Sequence, residues 1–251
     1  MNELIKKEWD FTKNAKFYEY RPNYDDAAID MLAFWTKDAK SVADIGAGTG
    51  NLSLMLSQRN FDVTAIEPND AMREIGVKRL PNITWIRAGA GDTTLANSSV
   101  DWVTFGSSFG VIDRSDMLKE AHRILKTGGK VSILFNHRVL NNPIQKIAQD
   151  IIKSFVPDYN GGVRREEQRV VLEENKTLFD NLFYLEQDFK FHQTIDTYLL
   201  AWQSVRNTYW DLNTDDGRKL FEKICEKLRA ELPKEFDIPY TTKAWNLDKV
   251  N

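Results

Sequence analysis

The chain has 251 residues, of which 42% are hydrophobic, and its formal net charge is −3 at pH 7. That length is enough for one domain, 1–251, with a full hydrophobic core. The weak negative charge argues against nucleic acid or a membrane surface as partner. One cysteine, Cys225, excludes an internal disulfide framework and a Cys-rich metal site.

The first eight residues are polar and charged, which is unlike a signal peptide, and no apolar run reaches the length of a membrane span. We therefore expect a cytoplasmic protein without membrane contact. No group of His, Cys or acidic residues has the spacing of metal ligands, so no metal is expected.

An N-terminal arm, 1–24, is crowded with aromatic residues. Beyond it, short apolar strands alternate with helices. The predicted strands cover 41–45, 61–66, 83–87, 100–105 and 130–135, and the predicted helices 25–36, 50–58, 70–79 and 115–125. This alternation predicts an α/β fold of the Rossmann-like, doubly wound kind, with a mostly parallel sheet.

The rhythm changes after residue 139. Helical spacing covers 142–156, 166–180, 194–209 and 214–232, and strand patterns cover 183–191 and 236–245. We expect 140–180 to be a helical lid insertion over the ligand crevice, with the helix 194–210 adding to it. The two late strands should rejoin the sheet as antiparallel edge partners.

The stretch Val42–Gly50 organises the chain. An apolar strand ends in Asp44, glycines follow at 46, 48 and 50, and a helical apolar run begins at Asn51. Strand, glycine turn and helix are the start of a βαβ unit, whose ligands lie beyond the carboxyl ends of the strands. A tight turn without any ligand is the alternative interpretation.

The glycine spacing favours one cofactor over another. A dinucleotide loop needs G-x-G-x-x-G, whereas here the third glycine comes one residue early and Asn51 follows. The pattern resembles motif I of the class I S-adenosylmethionine (SAM) methyltransferases, D-x-G-x-G-x-G. In that family the loop faces the cationic methionine part of SAM, which an acid such as Asp44 favours by charge.

An acid at the end of the second strand completes the nucleoside pattern. Glu67 lies 21 residues after Gly46, where a carboxylate can accept both ribose hydroxyls. Where relatives place an acid near the adenine, this chain has Gly91, so we expect Asp92 or the amides of Ala90 and Gly91 to make that contact. The cofactor-binding candidates are Tyr18, Arg21, Asp44, Gly46, Ala47, Gly48, Glu67, Pro68, Met72, Ala90, Gly91, Asp92 and Ser107.

Residues 15–137 also resemble the type-11 and trans-aconitate-methyltransferase-like small-molecule enzymes of that class. The resemblance rests on the arm motif at 15–24 and on the segments 100–113 and 120–129, although Gly110 and Val111 replace a His and a Trp. It implies that Tyr18 and Arg21 reach the methionine carboxylate, which a guanidinium can grip with two hydrogen bonds.

A second group of candidates concerns the methyl acceptor. The substrate-contact candidates are Tyr20, Tyr24, Phe109, Asn136 and Arg138, and His137 is the candidate general base. The lid contributes Tyr159, Arg164, Arg165 and Arg169, followed by Tyr198, Trp202, Arg206, Tyr209 and Trp210 at helical spacing. Such a stripe is more often core, but facing the crevice it suits an anionic or sugar-like acceptor.

The sequence thus predicts a SAM-dependent methyltransferase that methylates oxygen or nitrogen of a small molecule and releases S-adenosylhomocysteine. We expect a monomer or homodimer. The alternatives are a SAM-binding protein without catalysis and, less favoured by Asp44 and Asn51, a nicotinamide-dependent oxidoreductase.

Overall fold

The structure, a computed structural model, describes residues 10–160, 168–205 and 209–251. Within these residues, seven strands form one sheet in the order β3-β2-β1-β4-β5-β7-β6. The strands are β1 Ser41–Ile45, β2 Asp62–Ile66, β3 Thr84–Ile86, β4 Val100–Gly106, β5 Leu125–Arg138, β6 Phe179–Thr194 and β7 Glu235–Lys249. The pairings among β1 to β5 are parallel, which confirms the predicted doubly wound α/β fold.

The helices alternate with the first strands and then gather in the second half of the chain. They are a 3-10 helix Ala15–Tyr20, α1 Asp26–Trp35, α2 Asn51–Ser57, α3 Asp70–Arg79, α4 Arg114–Ile124, α5 Pro143–Phe155, α6 Arg169–Glu174, α7 Ile195–Gln203 and α8 Asp215–Glu231. Polar side chains cap several of them as the sequence indicates. Asp25, for example, accepts the Ala28 amide at the start of α1.

The late strands rejoin the sheet as expected, but in a particular order. β7 pairs antiparallel with both β5 and β6, so β6 is the edge strand and β7 lies inside it. Of the seven strands in the described residues, only β7 therefore runs against the others. The order follows from long-range pairing, which no local pattern encodes.

Several predicted element ends differ from the structure, among them those of α7 and β5. α7 ends at Gln203 rather than near residue 210, and the Ser204 hydroxyl donates back to the Ala201 carbonyl at 2.6 Å. β5 begins at Leu125 rather than Lys130, because Val100 of β4 already pairs with Leu125. A register shift follows, after which Trp102 pairs with Lys130. Tyr209 and Trp210 consequently lie outside α7.

The alternation of side chains along the strands supplies two apolar faces. Ile45, Phe105 and Ile133 point to the face covered by α4 and α6, whereas Val42 and Trp102 point to the face covered by α1 and α2. A third cluster joins α5, α7 and α8 beyond the sheet. The sheet and its two helical layers fix the strand ends at which the ligand cleft opens.

Asp101 joins three strands at the opposite end of the sheet. Its carboxylate accepts the backbone amides of Lys40 and Ser41 at 3.0 and 2.9 Å and the Lys126 ammonium at 2.8 Å. Burial raises the pKa of Asp101, but the Lys126 hydrogen bond and the two amides outweigh it and hold the pKa well below its ordinary value.

We expect Asp101→Asn to lower the free energy of unfolding by about 1–3 kcal/mol at pH 7, because an amide NH₂ would face the Lys126 ammonium. A carboxyl with a depressed folded-state pKa stabilises fully above its unfolded pKa, so this difference should begin to shrink as the pH falls below about 4 and should disappear only below the folded-state pKa. Urea unfolding at several pH values measures it. Asp150→Asn, on the exposed side of α5, is the control, and equal loss in both variants would contradict the assignment.

Candidate active site

A cleft of about 1610 Å³ lies at the carboxyl ends of β1, β2, β4 and β5 and extends between the N-terminal arm, α7 and α8. It brings together residues that are far apart in sequence, as the doubly wound topology predicts. The predicted site residues that line it are Tyr18, Arg21, Tyr24, Asp44, Gly46, Ala47, Gly48, Glu67, Pro68, Met72, Ala90, Ser107, Asn136, His137 and Arg138.

The glycine loop requires its glycines for two different reasons. Gly46 has φ +72°, and a Cβ there would lie 2.5 Å from the Ser108 Cβ. The packing of the protein therefore leaves no room for a side chain at this position. Gly48 has φ +59°, but a Cβ there would meet no atom within 4 Å. Because Gly48 lines the cleft, a ligand can occupy the space above its Cα.

Glu67 is bonded directly to the glycine loop. One carboxylate oxygen accepts the Gly48 amide at 2.8 Å and the other accepts the Asn69 amide at 2.8 Å. The side chain is only 7% exposed. Burial raises the pKa of Glu67 to about 7, against the opposing effect of these amides and of Arg73.

Asp44 supports the same loop from within the sheet. Its carboxylate is buried and accepts hydrogen bonds from Ser53 at 2.6 Å and Thr104 at 3.0 Å. Burial raises the pKa of Asp44 to about 6. Two buried acids with elevated pKa values therefore lie beside the loop, an arrangement that favours a cationic ligand.

The described part of the N-terminal arm, 10–24, lines the cleft and is hydrogen-bonded at several points. The Asn14 side chain donates to the Gln203 carbonyl of α7 at 2.7 Å, and Asn69 donates to Thr12 at 3.1 Å. The Arg21 guanidinium lies 4.8 Å from the Tyr18 ring centroid. Burial raises the pKa of Tyr18, so its phenol stays protonated. The arm thus places a cation and a phenol over the loop.

Further contacts fix the base of the arm. The Tyr24 and Ser107 hydroxyls are 2.9 Å apart. The Asn136 amide donates to the Asn23 carbonyl at 2.8 Å, and its oxygen accepts the Thr242 hydroxyl at 2.6 Å. These bonds hold Asn136, predicted as a substrate contact, as part of the arm's attachment.

The far part of the cleft is aromatic and basic. Arg138 ends β5 beside Tyr240 of β7 and lies 4.5 Å from the Trp202 ring centroid of α7. His137 points to the opposite face of the sheet, 6.2 Å from the Phe135 ring, because neighbouring residues on a strand alternate. The cleft thus has a lobe at the glycine loop and a lobe at Arg138.

Four predicted contacts lie outside the lining of the cleft. Phe109 is buried in the core against Phe105, with ring centroids 5.4 Å apart, so its prediction as a substrate contact is wrong. Asp92 is exposed and accepts the Thr94 amide at 3.2 Å, as a turn acid does, and Gly91 is exposed beside it. Tyr20 ends the 3-10 helix without reaching the cleft.

The helical lid is not confirmed. Among the described residues of 140–180, only Leu140 lines the cleft, and Tyr159 packs in the α5, α7 and α8 cluster. Arg169 lies over the Tyr184 ring instead, 5.2 Å from its centroid. Arg164, Arg165 and Arg206 lie outside the described residues. Tyr198, Trp202 and Trp210 are core residues that also line the cleft, so both interpretations of that stripe apply.

Sequence reasoning missed several cleft residues. Thr49 carries a buried hydroxyl without a hydrogen-bond partner in the described part of the chain, and its place within the glycine motif was an available signal. Ser108 donates to the Ile45 carbonyl and so anchors the loop. Tyr240 had no local signal, because only the β5–β7 register places it beside Arg138.

These features fit a nucleoside cofactor with a cationic end. Gly48 leaves open space, Thr49 offers a buried hydroxyl with no hydrogen-bond partner among the described residues, and Glu67 and Asp44 supply negative charge. Fold and site together define a doubly wound α/β domain whose glycine loop and strand-end acid suit an adenosine-containing ligand.

Comparison with known proteins finds a matching family model and several similar proteins. Residues 42–129 match the family described as a methyltransferase domain. An uncharacterized methyltransferase of Mycobacterium tuberculosis is 33% identical over 118 residues, which cover 47% of this chain and 48% of that protein. The chain thus spans about half the length of such relatives. Over residues 42–129 the chain is thus similar to a methyltransferase domain.

One further relative and two solved structures are similar to this chain. The ubiquinone/menaquinone biosynthesis C-methyltransferase UbiE of Campylobacter jejuni is 26% identical over 163 residues, 61% of this chain and 64% of that protein. The solved YcgJ protein of Bacillus subtilis matches the fold with a TM-score of 0.53 at 16% identity, covering 88% of this chain and 98% of that one. A proposed type II methyltransferase of Anaeromyxobacter dehalogenans matches the fold with a TM-score of 0.57 at 20% identity. The match covers 91% of this chain and 97% of that one.

Two expected absences stay predictions. Within residues 10–160, 168–205 and 209–251, no three His, Cys or acidic side chains converge as metal ligands would. In the same ranges, every helix is too short or too polar to cross a bilayer.

The two glycines should respond differently to alanine. We expect Gly46→Ala to lower the free energy of unfolding by more than about 2 kcal/mol, because the new methyl adds a clash with Ser108 to the positive-φ strain. Gly48→Ala should cost only the strain, about 1–2 kcal/mol. Gly89→Ala, at ordinary φ with nothing within 4 Å, is the control. Denaturant unfolding compares them, and equal losses at 46 and 48 would refute the distinction.

Proposed function

We propose that the protein is an enzyme that transfers the methyl group of SAM to an oxygen or nitrogen atom of a small acceptor, an anionic or sugar-like metabolite. The hydrogen bond between the Gly48 amide and the buried Glu67 carboxylate carries the proposal. It joins the loop and the strand-end acid into one cradle, which opens on a cleft large enough for a cofactor and an acceptor.

The cofactor lobe offers a partner for each part of SAM. Each Glu67 oxygen retains a lone pair after accepting one backbone amide, so the carboxylate can also accept the ribose hydroxyls. Met72 and Pro68 follow β2 and supply an apolar surface for the adenine. Arg21 and Tyr18 would hold the methionine carboxylate, while Asp44 favours the ammonium and sulfonium by charge.

SAM supplies a methyl group that its sulfonium already activates, so the protein needs mainly to align the two reactants and exclude water. The arm serves the second purpose, because its bonds to α7 and to Asn69 close the cleft over the loop. A base is needed only for an acceptor that holds its proton at neutral pH. His137 lines the cleft and is the candidate for that role.

Relatives suggest one alternative acceptor atom. UbiE of Campylobacter jejuni is named a C-methyltransferase, so a carbon acceptor competes with oxygen and nitrogen. A SAM-binding protein without turnover and a nicotinamide-dependent oxidoreductase are the other candidates. The D-x-G-x-G-x-G loop disfavours the second, because Asp44 would lie near a pyrophosphate.

We expect SAM and S-adenosylhomocysteine to bind with micromolar affinity and Gly48→Val to abolish binding, because a branched side chain would fill the open space over the loop. Isothermal titration calorimetry measures both proteins, and Gly89→Val is the matched control. Heat with NAD and none with SAM would overturn the proposal. Release of S-adenosylhomocysteine with a metabolite library, and NMR of the product, then test turnover and identify the methylated atom.

The elevated pKa of Glu67 predicts pH-dependent ribose binding. Ribose hydroxyls donate, so the ionised carboxylate binds them better, and affinity should fall as the pH drops below about 7. For 5′-methylthioadenosine, which lacks the titrating amine of SAM, we expect a decrease of about tenfold between about pH 7.5 and about pH 6. Glu67→Gln should bind more weakly but with little pH dependence. The same slope in both proteins would exclude Glu67 as its source.

A further inference from the structure

Arg138 stands at the centre of the second lobe. It lines the cleft together with Tyr198, Trp202 and Tyr240, which come from α7 and β7. Its guanidinium interacts electrostatically with three phenols, those of Tyr159, Tyr198 and Tyr240. Gln145 faces it as well, at 3.5 Å from the guanidinium nitrogen. An arginine remains charged at every physiological pH, so this lobe has a permanent cation.

The phenols around Arg138 are oriented by its charge. A guanidinium only donates hydrogen bonds, so the oxygens of Tyr159 and Tyr198 that bond to it are acceptors, and each phenol keeps its own O–H for another partner. Burial raises the pKa of Tyr240, and it raises that of Tyr159 to about 12, so both remain protonated at neutral pH. Of the three phenols, Tyr198 and Tyr240 line the cleft.

Trp202 adds an independent observation. The residue is only 6% exposed, and its indole N–H lacks a hydrogen-bond acceptor among the residues that the structure describes. A buried donor without an acceptor costs free energy, which a bound ligand with a suitable oxygen could recover. The same ring provides a flat apolar surface, against which Arg138 already packs at 4.5 Å from the centroid.

We propose that the acceptor carries an acidic group, a carboxylate or a phosphate, which binds the Arg138 guanidinium and the hydroxyls of Tyr198 and Tyr240, and that its flat apolar body packs against Trp202. This inference rests on the proposed function, because it places the acceptor in the same cleft as SAM. It gives Arg138 the task of orienting the acceptor by its acidic end, away from the atom that is methylated.

Charge elsewhere in the cleft supports this choice of position. The wall formed by α8 contributes Glu222 and Glu226 as well as Arg218 and Arg229, so cations and acids are mixed there. Next to the glycine loop, Asp44 and Glu67 repel an anion. Arg138, in contrast, has phenols and an indole as neighbours, which suits an acidic group.

The test measures binding of three probes to the protein loaded with S-adenosylhomocysteine. Benzoate and phenyl phosphate carry the two acidic groups on a flat ring, and benzamide is their neutral counterpart. Calorimetry or ligand-observed NMR should show at least one acid binding about tenfold more tightly than benzamide. The preferred acid distinguishes a carboxylate acceptor from a phosphorylated one.

Variants test whether Arg138 and Tyr240 cause the preference for acids. Arg138→Met should abolish the preference for acids, Arg138→Lys should retain part of it, and Tyr240→Phe, which removes one hydroxyl and keeps the ring, should weaken acid binding about threefold to tenfold. Arg59→Met removes a positive charge outside the cleft lining and should leave the preference intact. Affinity for S-adenosylhomocysteine should stay within about twofold of the wild type in all four proteins, which shows that they are folded.

Several outcomes would overturn the proposal: equal binding of benzamide and both acids, no binding by either acid, or an acid preference that persists in Arg138→Met. Failure of the proposed function gives a different result. If S-adenosylhomocysteine does not bind the wild type, that function fails, while the same probes in the absence of any cofactor still report on the Arg138 site.

Discussion

The hydrogen bond between Gly48 and Glu67 is the constraint on which the site depends. It joins the turn after β1 to the end of β2 at 2.8 Å, and Gly46 and Ala47 reinforce the junction by donating to the Ile66 carbonyl. The parallel pairing of the two strands places their ends side by side, so the contact follows from the sheet. Burial makes the Glu67 carboxyl group costly to ionise, and a ligand with hydroxyl donors would reduce that cost by hydrogen-bonding to the carboxylate.

The same arrangement explains why the two lobes of the cleft differ in charge. Acids at the ends of β1 and β2 stand beside the glycine loop, whereas Arg138 at the end of β5 stands among aromatic rings. The interior of a cleft screens charge poorly. Under the proposed function, a cationic methyl donor is favoured beside these acids, with Arg21 for its carboxylate, and an acidic acceptor is favoured beside Arg138.

Much of the first half of the structure could be predicted from the sequence, because its information is local. Apolar runs between turn signals gave β1 to β4 within one or two residues, and the glycine spacing identified the loop. The second half of the structure was harder to predict from the sequence. α7 ends at Gln203 although helical spacing continues, because Ser204 caps the last turn, and the lining of the cleft by Tyr240 depends on a β5–β7 register that only the assembled sheet defines.

The mistaken interpretation of Phe109 shows where a family pattern stops being informative. Its position matches relatives, yet Gly110 has φ +109° and the Phe109 ring packs on Phe105, with Arg114 over it at 5.9 Å. A segment that differs from its relatives at 110 and 111 need not present the same side chain to the acceptor. The aromatic surface is supplied instead by α7 and β7, which lie outside the matched residues 42–129. Under the proposed function, the residues that would bind the acceptor therefore lie mostly outside the matched range 42–129, while the glycine loop and Glu67 lie within it.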